Sequence, residues 1–428
     1  MNENSIPSSR RQFIKTGAAF STVSLLNMPA FGAHHKGSDK LRVGLVGCGG
    51  RGTGAAFHCI NAAPNIELYA MADFFQDKIE NSQKRMIKGW NKYEGMGAKF
   101  NVTPERQFTG FDGYQKVIDS GVDVVILATQ PGFRPMHFEA AVNAGKHVFL
   151  EKPVAVDPVG VRKVIEVSEL AKKKGLSVVA GTQRRHDPAY LQMMKRVMDG
   201  AIGDIRGGDG YWIWGKKIGQ NAQDPNWSEM EFQIRNWYFH CWGSGDHIVE
   251  QHIHQLDVLN WAFGGPPKSA IGSGGLMIEH DFGNIYDHFS VVYEYDNGVR
   301  VVSMCSQIPG TTPRIGERIV GAKGIATAGQ ITGPNEWKYS GPEVNGQEQE
   351  HKDLVASIRN EGPYLNQGKR VAESTMTAIL GRMVAYTGRE VSYGWALNRS
   401  QLDITPKNWA IGPNPLPPRP IPGTMELI

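Results

Sequence analysis

The chain has 428 residues, of which 40% are hydrophobic and 21% are charged, and its formal net charge at pH 7 is +4. This length exceeds the roughly 250 to 300 residues that a single hydrophobic core usually organises, so we expect two domains. The small net charge argues against a nucleic-acid-binding protein, and four scattered cysteines argue against a disulfide framework.

The first 33 residues have the pattern of a twin-arginine (Tat) export signal. Arg10 and Arg11 precede a weakly apolar stretch at residues 16–28, and small residues follow up to Ala33. The twin-arginine route carries proteins that have already folded. We therefore expect a signal peptide at residues 1–33 and a periplasmic protein. No later apolar run reaches the ~20 residues of a membrane helix, so we expect no membrane span in the mature chain.

Residues 40–183 alternate between strand-like and helix-like patterns. Short runs rich in Val, Ile and Leu predict strands at residues 41–46, 66–72, 122–128, 147–150 and 176–180. Apolar residues at helical spacing predict helices at residues 53–62, 76–90, 135–144 and 159–174. Residues 92–107 form an irregular insert. This alternation predicts the α/β class, with a doubly wound parallel sheet in the first domain.

A glycine-rich loop, Gly47-Cys48-Gly49-Gly50-Arg51-Gly52, follows the first predicted strand and precedes a predicted helix. Such glycines let the backbone approach a pyrophosphate at the N-terminus of the helix. Asp73 ends the second strand, at an offset where a carboxylate can accept hydrogen bonds from ribose hydroxyls. The predicted dinucleotide site therefore contains Gly47, Gly49, Gly50, Arg51, Gly52 and Asp73. Because a carboxylate would repel a 2′-phosphate, Asp73 favours NAD over NADP.

Glu151 and Lys152 directly follow the predicted strand at residues 147–150. Open α/β sheets bind ligands at this carboxyl edge, so we expect both side chains at the dinucleotide site. From the preceding strand and helix, we expect Thr129, Pro131 and His137 at the same site. His137 lies within a predicted helix, so a structural role is its alternative.

The sequence changes character after residue 183. Longer strand patterns occur at residues 205–214, 269–278, 287–295 and 300–307, and a typical hairpin turn, Asp296-Asn297-Gly298, separates the last two. Helices are predicted at residues 350–360 and 371–387. We expect a substrate-binding domain with a mostly antiparallel sheet at residues 184–395, followed by a Pro-rich C-terminal arm at residues 396–428.

Ionisable side chains are densest at residues 243–257. If this segment is one helix, four side chains share a face: His247, Glu250, His254 and Asp257. A solvated polar face is one alternative reading. A metal site formed by Glu250, His254, His247 and His252 is another. Since no further cluster of ligands is evident, we expect no metal.

Aromatic side chains concentrate at residues 211–242, where Trp237 and Tyr238 lie close to polar residues. An apolar ring face with polar edges suits binding of a carbohydrate ring. Packing within the core explains the same residues equally well.

The motifs together resemble those of the Gfo/Idh/MocA oxidoreductase family over residues 40–395. The resemblance rests on the glycine loop, Asp73, Glu151-Lys152-Pro153, Gly181-Thr182-Gln183-Arg184-Arg185 and His254-x-x-Asp257. It implies an N-terminal Rossmann domain, then a C-terminal α/β domain whose mostly antiparallel open sheet commonly packs against a second subunit. It also implies that Lys152, His254 and Glu250 are catalytic. In many sugar dehydrogenases of the family an aspartate occupies the position of Glu250. Substrate contacts are expected from Arg184, Arg185, Trp237, Tyr238 and Asp257.

The resemblance implies an NAD-dependent oxidoreductase acting on a hydroxyl of a sugar, polyol or glycoside. Because free NAD is scarce outside the cytoplasm, we expect the cofactor to be tightly bound. His254 would act as general base, and Lys152 would stabilise negative charge on the reacting oxygen. One alternative is a redox-neutral glycosidase or lyase that passes through a 3-keto intermediate. Another is a non-catalytic sugar-binding protein that retains NAD. The expected partners are a small carbohydrate and a second copy of the chain.

Overall fold

The computed structural model describes residues 40–90, 99–216, 219–278 and 282–428. The predicted signal peptide and part of the predicted insert at residues 92–107 lie outside these ranges. None of the helices within them is long and apolar enough to cross a membrane.

The first sheet is parallel and has six strands in the order β3-β2-β1-β4-β5-β6. The strands are β1 (Leu41–Val46), β2 (Ile66–Asp73), β3 (Gln107–Thr109), β4 (Val124–Leu127), β5 (His147–Leu150) and β6 (Val178–Ala180). Strands β4, β5 and β6 are buried at every position, as expected for a sheet covered on both faces. The strand order reverses between β1 and β4, which opens a crevice at the carboxyl ends of the strands. The prediction of a doubly wound parallel sheet is confirmed.

Helices cover both faces of this sheet. On one face pack α3 (Gly113–Asp119), α4 (Arg134–Asn143) and α5 (Pro158–Lys173). On the other pack α1 (Gly50–Asn61), α2 (Gln76–Trp90) and α11 (Gly346–Arg359). Helix α11 comes from the C-terminal half of the chain, where the sequence predicted a helix of the substrate-binding domain. It lies against the first sheet because Leu354, Val355 and Ile358 join the apolar cluster there.

The second sheet has nine strands in the order β14-β13-β12-β11-β7-β10-β9-β8-β15. They are β7 (Ile205–Ile213), β8 (Ser269–Gly275), β9 (His288–Glu294), β10 (Arg300–Ser306), β11 (Arg314–Gly321), β12 (Ile325–Thr327), β13 (Gln330–Thr332), β14 (Trp337–Lys338) and β15 (Val391–Ser392). All neighbouring strands are antiparallel except β7 and β10. The predictions of a mostly antiparallel sheet and of a hairpin at residues 296–298 are both confirmed.

The remaining helices belong to this second part of the chain: α6 (Pro188–Met198), α7 (Glu229–Arg235), α8 (Cys241–Ser244), α9 (His247–Glu250), α10 (Ile253–Phe263), α12 (Gly368–Thr387) and α13 (Tyr393–Asn398). Helices α10 and α12 pack on one face of the second sheet, and α12 also contacts α5. Helix α6 was not predicted, although Asp187 and Pro188 form a common helix start in which the aspartate accepts a hydrogen bond from the Ala189 N–H.

Beyond Asn398 the described chain has no helix or strand, as the Pro-rich composition predicts. The arm is nevertheless attached to the fold. Asn414 exchanges hydrogen bonds with the side chain of Gln233 on α7, and the Tyr286 hydroxyl donates to the carbonyl oxygen of Pro420.

Two glycines of α1 provide a test of how closely the glycine loop is packed. A Cβ atom at Gly52 would lie 1.9 Å from the carbonyl oxygen of Gly47, whereas a Cβ atom at Gly54 would meet no neighbouring heavy atom within 4 Å. We expect Gly52→Ala to lower the melting temperature by several degrees or to prevent folding. Gly54→Ala should stabilise the protein by up to ~1 kcal/mol, since alanine is the better helix former. Thermal unfolding followed by circular dichroism measures both, and equal melting temperatures would contradict the close packing.

Candidate functional site

A cleft of about 580 Å³ lies at the carboxyl ends of the parallel strands. One wall is formed by residues that end or follow strands of the first sheet: Gly47 after β1, Asp73 on β2, Thr129 and Pro131 after β4, Glu151 and Lys152 after β5, and Gly181 and Gln183 after β6. The other wall comes from the second part of the chain and includes Trp212, Arg235, Trp237, Glu250 and His254. The structure therefore brings most of the predicted site residues into one cleft.

The glycine loop forms the floor of the cleft near α1. Gly47 has a φ angle of 100°, and a Cβ atom there would lie 2.5 Å from the backbone of Ala128 and Thr129. A Cβ atom at Gly49 would meet only open space. Gly50 begins α1, so the free N–H groups of the first helical turn lie at the cleft. This arrangement fits a pyrophosphate.

Asp73 ends β2 and lines the cleft beside the loop. Its Oδ2 accepts a hydrogen bond of 2.7 Å from the Cys48 N–H, and its Oδ1 accepts one of 3.2 Å from the Phe75 N–H. Burial raises the pKa of Asp73, and these two hydrogen bonds oppose that effect. Each oxygen retains capacity to accept a ribose hydroxyl.

Sequence reasoning offered Arg235 as a possible donor to a sugar and not as a cofactor residue, yet it lines the cleft at the same end as Phe75. Its guanidinium lies 3.7 Å from the centroid of the Phe75 ring. The charge is balanced by Asp77 at 3.2 Å and Glu231 at 3.0 Å. No local pattern predicts this contact, because Arg235 and Phe75 lie far apart in the sequence.

Arg51 connects the glycine loop to two carboxylates. Its guanidinium pairs with Glu151 and, at 2.6 Å, with Glu350 on α11, whose side chain is fully buried. Burial lowers the pKa of Arg51, but the two carboxylates raise it by more, so the overall shift is upward. Glu151 also packs against Gly181, where a Cβ atom would lie 2.5 Å from its Oε2. Burial raises the pKa of Glu350, and the positive charge of Arg51 opposes that effect. The loop is thus tied to two carboxylates, and sequence reasoning missed Glu350.

Lys152 and Glu250 meet across the cleft. The Nζ of Lys152 lies 2.8 Å from Oε1 of Glu250 and also donates to the backbone carbonyl oxygen of that residue. Each side chain is only 11% exposed. The other carboxylate oxygen, Oε2, accepts a hydrogen bond from the Gln251 amide. A lysine ammonium is therefore held at a defined position on the cleft wall.

His254 lies on α10 and lines the same part of the cleft. Its ring stacks on Trp212, with ring centroids 5.9 Å apart and an interplanar angle of 29°. Burial, together with the positive charges of Lys152 and Arg184, lowers the pKa of His254 well below its usual range. The imidazole is consequently neutral at pH 7 and able to accept a proton.

Residues 243–257 do not form one continuous helix, so the condition for a shared polar face is not met. Helix α9 ends at Glu250, and α10 begins at Ile253. His247 is fully buried beside Asp246, and His252 bonds through Nε2 to the Ser303 hydroxyl at 2.7 Å. Of the four side chains proposed to share a face, Glu250 and His254 line the cleft, whereas His247 and Asp257 do not. Within the described ranges, no group of three or more His, Cys, Asp or Glu side chains could hold a metal ion.

Asp257, Arg184 and Arg185 do not line the cleft, in contrast to their prediction as substrate contacts. Asp257 pairs with Arg185 at 2.8 Å and with Arg370 at 3.1 Å. Arg184 pairs with Glu317 at 2.7 Å. These buried or half-buried ion pairs join the turn at Gln183–Arg185 to α10, and α10 to α12 and the turn to the second sheet, so the charges already have partners within the fold.

His137 likewise lies behind the cleft rather than in it. It is buried, contacts the Thr129 hydroxyl at 3.2 Å through Nδ1, and stacks on Tyr114. Burial lowers its pKa to about 3. His137 therefore does not make the predicted cofactor contact. It supports Thr129, which does line the cleft. Tyr238 lines an adjacent cavity and not the cleft.

Two family profiles match the sequence. The GFO_IDH_MocA profile, described as an oxidoreductase family with an NAD-binding Rossmann fold, matches residues 41–182. The profile of the GFO/IDH/MocA C-terminal domain matches residues 190–327. The first matched segment contains the whole parallel sheet, and the second contains strands β7 to β12 of the second sheet.

Individual proteins are similar to this chain at low sequence identity. Inositol 2-dehydrogenase of Rhizobium meliloti is 25% identical over 183 residues, which cover 42% of this chain and 49% of that protein. The scyllo-inositol 2-dehydrogenase (NAD(+)) of Bacillus subtilis is 22% identical over 296 residues, covering 68% and 75%. The WlbA dehydrogenase of Bordetella pertussis, solved with NADH and UDP-GlcNAcA, superposes with a TM-score of 0.63 at 17% identity, covering 82% of this chain and 98% of that one.

Proposed function

Because the chain belongs to the Gfo/Idh/MocA oxidoreductase family, we propose that it is an NAD-dependent enzyme that oxidises a hydroxyl of a sugar, polyol or glycoside. The main support for this proposal is that Lys152, Glu250 and His254 line the same cleft as the glycine loop and Asp73. Relatives named as inositol dehydrogenases support net oxidation over the redox-neutral and non-catalytic alternatives.

The residues at the strand ends fit NAD. The glycine loop would hold the pyrophosphate, and the Asp73 carboxylate would accept hydrogen bonds from the ribose hydroxyls. Arg235 is neutralised by Asp77 and Glu231, so it offers little attraction to a 2′-phosphate. When bound, the nicotinamide ring supplies the site that takes a hydride from the substrate carbon.

The protein side chains would handle the proton and the charge on oxygen. A ring nitrogen of the neutral His254 accepts the proton of the substrate hydroxyl. The Lys152 ammonium stabilises the negative charge that develops on that oxygen. Glu250 is a positioning residue, because its carboxylate and backbone carbonyl hold the Lys152 ammonium in place. Trp212 fixes the plane of the His254 ring by stacking.

Replacement of the two reacting side chains tests this assignment. We expect Lys152→Ala and His254→Ala each to lower kcat by ~10²- to 10⁴-fold, while the protein still binds NAD. Lys163→Ala, which removes an exposed lysine outside the cleft, is the matched control. In the wild type, kcat/KM should stay level as the pH falls through 6.5 and decline only at lower pH, because the pKa of His254 is lowered. Full activity of Lys152→Ala would remove this residue from the mechanism.

We also propose that the protein is exported by the twin-arginine route with its NAD already bound. The twin-arginine pattern at residues 9–15 supports export, and the cluster of Arg51, Glu151 and Glu350 supports retention by fixing the loop under the pyrophosphate. NAD should therefore copurify with the mature protein from the periplasm. Glu350→Gln should speed NAD release, measured by the fluorescence change on dilution, while Glu348→Gln on the same helix should not. A periplasmic protein that purifies empty would contradict retention, and a cytoplasmic one would contradict export.

A second copy of the chain is proposed to cover the open face of the second sheet. Ile271, Val302 and Met304 lie on this face and are 54%, 41% and 39% exposed. Such a row of exposed apolar side chains is typical of subunit interfaces. Analytical ultracentrifugation should detect an oligomer that Val302→Glu dissociates, and a monomeric wild type would contradict the proposal.

A further inference from the structure

A second cavity of about 330 Å³ opens beside the cleft. Its lining residues are Trp212, Trp214, Tyr238, Gln251 and Gln307. Two of them, Trp212 and Gln251, also line the cleft. Trp212 is the residue on which His254 stacks, so the cavity begins next to the proposed reacting centre. The cavity and the cleft therefore adjoin at Trp212 and Gln251.

The cavity combines flat apolar surfaces with hydrogen-bonding groups. The two indole rings and the phenol ring offer apolar faces, and the two glutamine amides offer donors and acceptors. Gln307 donates a hydrogen bond to the Tyr238 hydroxyl, which fixes both side chains. Burial raises the pKa of Tyr238 well above its usual range, so the hydroxyl stays protonated. None of the five lining side chains carries a formal charge at pH 7.

Among the lining residues, Trp214 gives the clearest indication that the cavity binds a ligand. It follows the last residue of β7 and is 40% exposed, whereas tryptophan is usually well buried. Packing of the core therefore does not account for its position. The ammonium of Lys216 lies 5.7 Å from the centroid of its ring and provides one further donor at the rim. A single rim cation is a weak site for a diphosphate, and uncharged polar ligands suit the lining better.

We infer that this cavity binds a second sugar ring, which is joined by a glycosidic bond to the ring oxidised between Lys152 and His254. The inference rests on the proposed function and narrows its substrate class to uncharged disaccharides and longer glycosides, in preference to free monosaccharides. Trp214 would stack on the second ring, and Gln251 and Gln307 would bond to its hydroxyls. The first ring would stay in the cleft, where the proton and hydride are removed.

Binding and turnover of matched sugars test this inference. The probes are glucose, galactose and mannose, each compared with disaccharides in which that sugar is the non-reducing ring. Calorimetry on the NAD-loaded protein gives Kd, and the absorbance of reduced nicotinamide gives kcat/KM. We expect at least one disaccharide to bind about tenfold more tightly than its parent monosaccharide. Trp214→Ala should abolish this preference and leave monosaccharide binding unchanged. Trp337→Ala, on the edge strand β14 and lining neither cavity, should preserve it.

These measurements distinguish a failure of the second-ring site from a failure of the proposed oxidoreductase activity. Equal affinities for every matched pair, or a preference that survives Trp214→Ala, would overturn the second-ring site even if monosaccharides are oxidised. Equal losses for both sizes of sugar in Trp214→Ala would also overturn it. If disaccharides bind with the expected preference but no sugar reduces the bound NAD, the second-ring site stands and the proposed oxidoreductase activity fails.

Discussion

Two ion pairs between the N-terminal and C-terminal halves of the chain, each with a buried carboxylate, determine the geometry of the cleft. Lys152, after β5, pairs with Glu250 on α9, and Arg51, in the glycine loop, pairs with Glu350 on α11. A buried charge without its partner is strongly destabilising, so neither helix can shift freely relative to the parallel sheet. His254 follows Glu250 by four residues, and the first pair therefore also sets where the imidazole lies relative to the strand ends.

The local sequence was sufficient to predict the site residues that lie at the ends of the parallel strands. The strand pattern, the glycine loop and the acid ending β2 identify the floor of the cleft, because residues after parallel strands meet at one edge of the sheet. Asp73 and Lys152 were found in this way, and both line the cleft. The bounds predicted for α2, residues 76–90, agree with those observed, since its helical spacing is uninterrupted.

Long-range contacts account for what the sequence did not reveal. The partners of Asp257 are Arg185 and Arg370, which are 72 and 113 residues away, so local spacing could not distinguish an ion pair in the fold from a substrate contact. Glu350 and Arg235 reach the cleft region in the same way, from helices remote in sequence. The break between α9 and α10 lies within a pattern compatible with one helix, and strands β12, β13 and β14 are only two or three residues long. Neither the helix break nor these short strands produce a recognisable hydrophobic periodicity in the sequence.

In the proposed reaction, a hydride passes from a sugar carbon to NAD held at the ends of the parallel strands, beside Lys152 and His254. The most direct measurement is isotope transfer within the purified protein, with no nucleotide added. The NAD-loaded enzyme is mixed with sugars that carry deuterium on their ring carbons, and the bound nucleotide is then extracted for mass spectrometry. We expect one deuterium in the nicotinamide of the wild type and none in Lys152→Ala. A sugar that is consumed while the wild-type nucleotide gains no deuterium would contradict the claim.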